Sequence, residues 1–499
     1  LGGGLALSFG WVGRVISVRE IDPADLALFD EWYDALRAGV VAGREAPLVV
    51  SRDALGFSLR NPGPLKRRLA VGAFEDGRVL GAMLFEYRLT DNLDTVEVEI
   101  DVPPQHRGRG IGTALWQWAV TRAAQLGRTI FQSELGVPSE PWPGAAFASK
   151  LGFAVEHVED HLVVPLPYDD VLLDDLRRTA GVLDGYRLTS WAGVCPPEHQ
   201  QAYADLHTAM DHDVPTGGMT REVVPWTVEK LQASEQRLDR NYLALVTMAH
   251  TLSGEPAGYT LMYLPRADDS HAQQDDTLVL REHRGHNLGT HLKLANLDQL
   301  AKHRTNQRFL HTWTAVSNGP MQKVNARFGF RSIEEHRELE LSYPRLRPAA
   351  RAVVLDPADR VLLVRFEFAD GPLWATPGGG LEAGESLRDG LHRELQEEIG
   401  LDAPDDPPHL WHQEVVAEGH AAGYDGVIND YFLVRTEPFT VGGTLTEAEL
   451  QAENLHGHRW WTLEELLTSA ARFSPRALPT LIEGLLRSGP PTVPTRLGL

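Results

Sequence analysis

The sequence predicts an α/β multidomain chain: two copies of one mixed α/β domain, followed by a third α/β domain with a different pattern. Three observations carry this reading. A chain of 499 residues exceeds what one hydrophobic core covers and implies about three domains. His106-Arg-Gly-Arg-Gly-Ile-Gly-Thr-Ala-Leu and His283-Arg-Gly-His-Asn-Leu-Gly-Thr-His-Leu agree at six of ten positions and start 177 residues apart, and Leu151-Gly-Phe and Phe328-Gly-Phe keep the same offset. Two landmarks with one offset indicate a duplication. Beyond them, Glu394, Glu397 and Glu398 stand at i, i+3 and i+4, which places three carboxylates on one face of a helix.

Composition narrows the function classes. A net charge of −22 disfavours broad electrostatic binding to nucleic acid or to an anionic membrane, while leaving local nucleotide binding open. The lone Cys195 excludes an intramolecular disulfide framework and fits a reducing cytoplasm; Pro196 and Pro197 behind it suggest a loop and not a nucleophile site. No apolar run reaches the length of a membrane span. Residues 1–14 are Gly-rich and lack a basic stretch with a cleavage site, so they are expected to form a disordered extension before a folded chain starting near Val15.

The first copy is expected over residues 15–165. Residues 95–102 alternate as a strand, the glycine turn follows, and residues 113–125 read as a helix. Strand, glycine turn and helix form a cradle for phosphate, since backbone N–H groups at the helix start point at the anion and glycines let it approach. Arg107, Gly108, Arg109, Gly110 and Gly112 are the binding candidates. Arg107-x-x-Gly110-x-Gly112 matches the Q/R-x-x-G-x-G/A signature, and Phe147-Ala-Ser-Lys-Leu-Gly-Phe matches a later Gly-Phe segment, so this region resembles GNAT acetyltransferases. The resemblance implies that the loop grips the pyrophosphate of acetyl-CoA and that an amine is the acceptor.

A linker is expected over residues 166–185, with a helix near 169–179, and the second copy over residues 186–343. Its strand is placed at 277–280, after a polar loop at 268–276. Its binding candidates are Arg284, Gly285, Asn287 and Gly289. Asn287 stands where the signature expects glycine, and Asn tolerates the left-handed backbone better than most residues. His283, His286 and His291 read as loop and helix-surface histidines, because no paired acid or Cys spacing supports a metal. Asn318-Gly-Pro-Met-Gln-Lys-Val-Asn with Gly329-Phe330 resembles tandem GNAT proteins of the mycothiol synthase type. Many GNAT members protonate the leaving thiolate with a Tyr four residues before the Gly of Gly-Phe; here that position holds Ala148 and Asn325. Glu97, Glu99 and Glu134 are candidate bases of the first copy.

Residues 344–350 read as a hinge, residues 351–490 as the third domain and residues 491–499 as a tail. Strands are expected at 351–355, 360–365, 431–434 and 459–462, with a closing helix at 463–471. Glycines Gly378, Gly379 and Gly380 suggest a permissive loop. Ser386 or Glu385 opens the acidic helix, which runs to about Ile399, with Gly400 as its left-handed stop. Clustered like charges call for a cation, and a hard divalent ion on oxygen ligands commonly bridges such carboxylates to substrate phosphates. Gly379, Glu385, Arg393, Glu394, Leu395, Glu397, Glu398, Gly400 and Leu401 match G-x5-E-x7-R-E-U-x-E-E-x-G-U throughout, so the segment resembles a Nudix hydrolase.

That resemblance implies an α/β/α sandwich and attack of water on a nucleotide-type diphosphate. It assigns Glu394, Glu397, Glu398 and the Gly378 carbonyl to Mg²⁺ or Mn²⁺, and the bracing of loop against helix to Arg393 and Glu385. A general base is sought among the box glutamates or in the acidic stretch 447–453. Trp460 or Trp461 is a candidate for stacking a base, weighed against a place in the core. Two readings stay open: a bifunctional hydrolase and acetyltransferase, or a hydrolase whose GNAT copies only bind acyl-CoA or an effector.

Overall fold

The computed structural model describes residues 7–11, 14–267, 270–368, 371–382, 384–417, 423–437, 439–452 and 454–498. The chain divides into two compact units, Leu1–Tyr343 and Pro344–Leu499.

In the first unit, the 177-residue offset extends to whole elements. It carries the start of the helix Ile111–Gln125 onto Leu288–His303, and the strand Ala154–Pro165 onto Arg331–Ser342. The two copies share a 13-stranded sheet. Arg331–Ser342 lies antiparallel between Ile130–Val137 and Ala154–Pro165, and Ala154–Pro165 pairs in turn with Phe309–Ala315. Each copy therefore gives its last strand to the other's sheet, so the seam between copies is internal and presents no strand edge for unwanted pairing. At the centre of the seam Glu159 stands opposite His336, which the 177-residue offset makes equivalent positions.

The sheet packs helices on both faces. In the first copy Leu115, Trp118 and Ala119 of Ile111–Gln125 meet Phe85, Val96 and Phe131, with Phe85 edge-on to Trp118 at 5.7 Å. Trp32 and Leu36 of Leu26–Val41 cover Ala70, Ala82 and Leu84 on the opposite face. Thr95–Asp101 and Ile130–Val137 run parallel and pair only from Thr95–Ile130 to Glu97–Gln132. Their later residues are not paired with each other beside the glycine loop. His271–Val279 and Phe309–Ala315 behave alike, with pairing that ends at Gln273–His311.

The second unit is a 9-stranded mixed sheet around Leu346–Leu355. Ala350, Ala352 and Val354 face the helix Leu387–Glu398 through Leu391 and Leu395. Val353 and Leu355 face the other way, onto Leu466, Leu478, Ile482 and Leu485 of the last two helices. A central strand covered on both faces is apolar on both, and the result is the α/β/α sandwich.

Several boundaries differ from expectation. Part of the extension expected over residues 1–14 is a strand, Leu7–Trp11, paired antiparallel with Arg14–Ile21, as its alternation of Leu7, Phe9 and Trp11 permits; residues 1–6, 12 and 13 lie outside the described residues. Of the polar loop expected at 268–276, residues 271–276 belong to the strand His271–Val279. Its buried Gln274 escapes a desolvation penalty by donating to Leu261 O at 2.8 Å; residues 268 and 269 lie outside the described residues. The hinge at 344–350 is strand from Leu346, paired with Gly426–Arg435, and the tail at 491–499 contributes Thr495–Leu497 beside Trp411–Gln413. The glycine loop is itself a short strand, Gly378–Gly380, antiparallel to Ala349–Arg351. Among the described residues no helix is long and apolar enough to cross a membrane.

Candidate active sites

In the second unit, Ser386 caps the acidic helix by accepting from Asp389 N at 3.2 Å, a bond worth about 1 kcal/mol. Gly400, at φ 70°, follows the helix as its left-handed stop. Glu398 accepts from the N–H of Gly378 at 2.8 Å. A Cβ on Gly379 would lie 2.5 Å from the Glu394 carboxylate and push it aside, while Gly378, at φ 120° with its Cβ position 2.3 Å from Ala350 O, is the position that only glycine fills. Glu394 and Glu398 are buried, and Glu397 is half-buried.

Arg393 sits among these acids. Its Nε and Nη2 donate to the two Glu385 oxygens at 2.9 and 3.0 Å, Nη1 donates to Glu394 and Glu397 at 2.9 Å each, and Nη2 reaches Gly380 O at 3.0 Å. The guanidinium bonds hold the Glu385 carboxyl below its usual range. Gly378 O accepts from Arg351 Nη1 at 3.0 Å. The donor set is oxygen only, which in kind suits a hard divalent cation. Among the described residues no group of three or more His, Cys, Asp and Glu side chains is gathered closely enough to hold a metal ion, and Arg393 bridges Glu385, Glu394 and Glu397.

Trp461 is a core residue, edge-on to Trp374 and Phe473. Trp460 is half-buried beside Phe439. The acidic stretch forms the helix Glu447–Ala452, in which Glu449 bonds Thr446 in its own first turn; Glu453 lies outside the described residues. Sequence reasoning missed the buried Asp430, which accepts from His409 at 2.9 Å and His412 at 2.8 Å.

In the first unit the two glycine loops share a backbone. Arg107 Nε donates to Val102 O at 2.9 Å, and Arg284 Nε donates to Val279 O at 3.0 Å. Each helix starts from a left-handed residue without a side-chain cap, Gly110 at φ 82° and Asn287 at φ 56°. Both helix starts therefore keep backbone N–H groups for an anion. The surroundings differ. Arg109 of the first loop is held by Glu75 at 2.6 and 2.8 Å, away from a ligand-binding task. At the second loop Arg284 pairs with Asp213 at 2.5 Å, Tyr186 hydrogen-bonds His283 at 3.2 Å, and its ring packs 5.7 and 5.8 Å from His283 and His286. Cys195 is buried, with its thiol pushed up to about 12 by burial and then by Glu235, so it is no nucleophile.

The first loop opens into a cavity of about 980 Å³. Arg107, Gly110 and Gly112 line it together with Glu99 and Glu134, while Glu97 is paired across the sheet with Glu86 outside the lining. Burial, and then the neighbouring carboxylates, raise Glu97 to about 7 and Asp101 to about 8. Glu134 is held down by its contact with His336, 3.4 Å away. Ala148 lines the wall without a hydroxyl, and Asn325 is a core residue donating to Thr314 Oγ1 at 2.8 Å. The hydroxyls that do line the cavity include Ser51, Thr113 and Ser133 of the first copy and Tyr242 and Tyr263 of the second, and no local sequence signal announces the two tyrosines.

Comparison with known proteins agrees with this geometry. The NUDIX domain family matches residues 345–481, and the acetyltransferase (GNAT) family matches twice, over residues 31–153 and 209–330. The chain belongs to the Nudix family through its second unit and carries two GNAT regions in its first. An RNA pyrophosphohydrolase of Campylobacter jejuni is 34% identical over 100 residues, which are 18% of this chain and 62% of that protein. The chain thus spans about three fifths of the length of that relative. An RNA pyrophosphohydrolase of Caulobacter vibrioides is 30% identical over 172 residues, 30% of this chain and 94% of the relative. Among solved structures, a tandem GNAT protein from the clavulanic acid biosynthesis pathway superposes with a TM-score of 0.56 at 28% identity, over 66% of this chain and 98% of that one.

Proposed function

We propose that the second unit hydrolyses a diphosphate bond in a nucleotide-type substrate, and that the first unit transfers an acetyl group from acetyl-CoA to an amine at its first glycine loop. The convergence of Glu394, Glu397 and Glu398 with the Gly378–Gly380 backbone carries the hydrolase reading. Glu394, Glu397, Glu398 and the Gly378 carbonyl would hold Mg²⁺ or Mn²⁺, which would neutralise the phosphates and lower the pKa of the attacking water. Arg393 and Glu385 fix the orientation of those carboxylates, a positioning task of the kind that supports a metal site from outside its ligands. Small nucleotides are the first substrates to test. The name of the relatives brings RNA in as a second substrate class, against which the net charge of −22 argues only for broad electrostatic binding.

For transfer, the amine must give up a proton before its nitrogen attacks the thioester carbon, and the departing thiolate must gain one. Glu99 and Glu134 stand in the cavity as carboxylates to take the first proton, and Tyr242 or Tyr263 as hydroxyls to give the second. The asymmetry of the two loops supports one working acyl-CoA site, with the second loop kept as structure.

The test is made on the full chain with a panel of nucleotides and RNA. Glu397→Gln is expected to lower Mg²⁺-dependent phosphate release at least about a hundredfold. An unchanged rate would remove Glu397 from the metal site.

A further inference from the structure

The cavity that starts at the first glycine loop does not end within the first copy. Besides Glu99, Asp101 and Glu134 it is lined by the exchanged strands, through Glu159, His336 and Glu338, and by the second copy, through Tyr242, Tyr263, Trp313 and Asp275. We infer that this is a single composite acceptor site, in which the first copy presents the acyl group and the second copy selects an acceptor carrying a second cationic group besides the reacting amine, as in a diamine or polyamine. The inference rests on the acetyl-transfer reading of the same cavity and names its substrate class.

The charge pattern is the first argument. Among the cationic side chains that line the cavity, Arg44 bonds Glu334 at 2.5 and 2.8 Å, Arg68 bonds Glu86 at 2.7 Å, and His336, which burial pushes down but Glu134, Glu159 and Glu338 hold above its usual range, lies 3.4 Å from Glu134. The carboxylates of Glu99, Asp101, Glu338 and Asp275 face the cavity, from both copies. Water reaches them, yet the surrounding protein and the neighbouring acids lift all four above the usual range, Asp101 and Asp275 to about 8. Groups lifted in this way are a standing demand for positive charge, and a bound cation returns them to the ionised form. Acids at Glu99 and Asp101 alone would suit a simple amine. Asp275, contributed by the strand His271–Val279 of the second copy, implies a second positive centre.

The walls are the second argument. Tyr242, Tyr263 and Trp313 supply aromatic faces from the second copy, surfaces that attract an organic cation and its methylene chain. A volume of about 980 Å³ accommodates both a pantetheine arm and an extended acceptor. The second loop fits the same division of labour: Tyr186 engages its His283 and Asp213 its Arg284, while the second copy contributes wall to the cavity at the first loop.

The experiment uses the full chain and three readouts. Calorimetry with spermidine alone, without acyl-CoA, is expected to show binding that hexylamine does not match and that Asp275→Asn weakens about tenfold, the loss of one charge-assisted contact. Acetyl transfer, followed by release of the CoA thiol, is expected to favour spermidine and putrescine over hexylamine in kcat/KM, with the preference lost in Asp275→Asn and, as a second variant, Glu338→Gln. Acetyl-CoA binding is expected to be unchanged in both variants, since neither residue belongs to the glycine loop. Equal handling of hexylamine and spermidine, or variants that keep the preference, would overturn the composite site. Absence of acetyl-CoA binding would instead overturn the acetyl-transfer reading, while spermidine binding on its own would still locate the cation site.

Discussion

The first and second glycine loops have the same backbone and different surroundings. Both latch their arginine to the carbonyl that ends the preceding strand, and both start a helix from a left-handed residue. A Cβ on Gly108 of the first or on its equivalent Gly285 of the second would meet nothing within 4 Å, so both backbones are open to a ligand. The first lines the cavity, while the second has its His283 bonded by Tyr186 and its Arg284 tied to Asp213. A duplicated scaffold thus keeps the geometry of its loop while the side chains around it diverge. The signature glycine is not what separates the copies, because Asn287 reaches the same left-handed region. What separates them is the surroundings.

Gly110→Asp should break this contrast most sharply. It puts a carboxylate at φ 82° at the mouth of an anion site, and acetyl-CoA affinity is expected to fall on the order of a hundredfold, chiefly from like-charge repulsion, since Asp tolerates the left-handed region better than most residues. Asn287→Asp at the equivalent cap is expected to leave acetyl-CoA binding unchanged. Calorimetry on the two full-length variants decides; equal losses would mean that both loops bind. A smaller effect is expected from releasing His283 and Arg284 of the second loop with Tyr186→Ala and Asp213→Asn. Weak binding of a second acetyl-CoA, at least about tenfold below the first, would show that these two contacts silence it.

These contrasts also mark what the sequence makes legible. The acidic helix with its Ser386 cap and Gly400 stop, and both strand–glycine–helix units, rest on contacts within a few turns of chain, and local spacing records such contacts. The strand exchange rests on which partner a strand chooses. Ala154–Pro165 and Arg331–Ser342 carry the same alternation whether they pair at home or across the seam, so periodicity is silent on it. The cavity wall from Tyr242, Tyr263 and Asp275 follows from that exchange and was out of reach for the same reason. Likewise the glycines at 378–380 signal permissive backbone, but not the pairing with Ala349–Arg351 that makes them a strand beside Glu394.

The seam itself offers a finer comparison. The 177-residue offset that superposes the exchanged strands turns His161 into Glu338 and Glu334 into His157. On one side a dry line forms: Arg44 bonds Glu334, Glu334 bonds His161 at 2.7 Å, and His161, His311 and His271 continue at 2.9 Å each. On the other, Glu338 faces the cavity. The two sides should respond to pH with opposite signs. Burial, with His161 and His271 adding to it, drives His311 down to about 3, so the folded protein keeps it neutral while the unfolded chain takes up a proton below about 6.5. Its contribution is therefore complete above pH 6.5 and is lost as pH falls from there toward 3, a cost on the order of 2 kcal/mol by pH 5. Asp101 and Asp275, raised to about 8, are protonated in the fold and ionised in the unfolded chain at neutral pH, so their contribution declines as pH rises from about 4 to 8. Urea denaturation of the full chain at pH 5, 7 and 8 separates the two: His311→Gln should flatten the acid limb, and spermidine should raise the midpoint at pH 8 more than at pH 5, because only ionised carboxylates hold it. A spermidine effect that is larger at pH 5 would show that the acids of the cavity are not the groups that meet the cation.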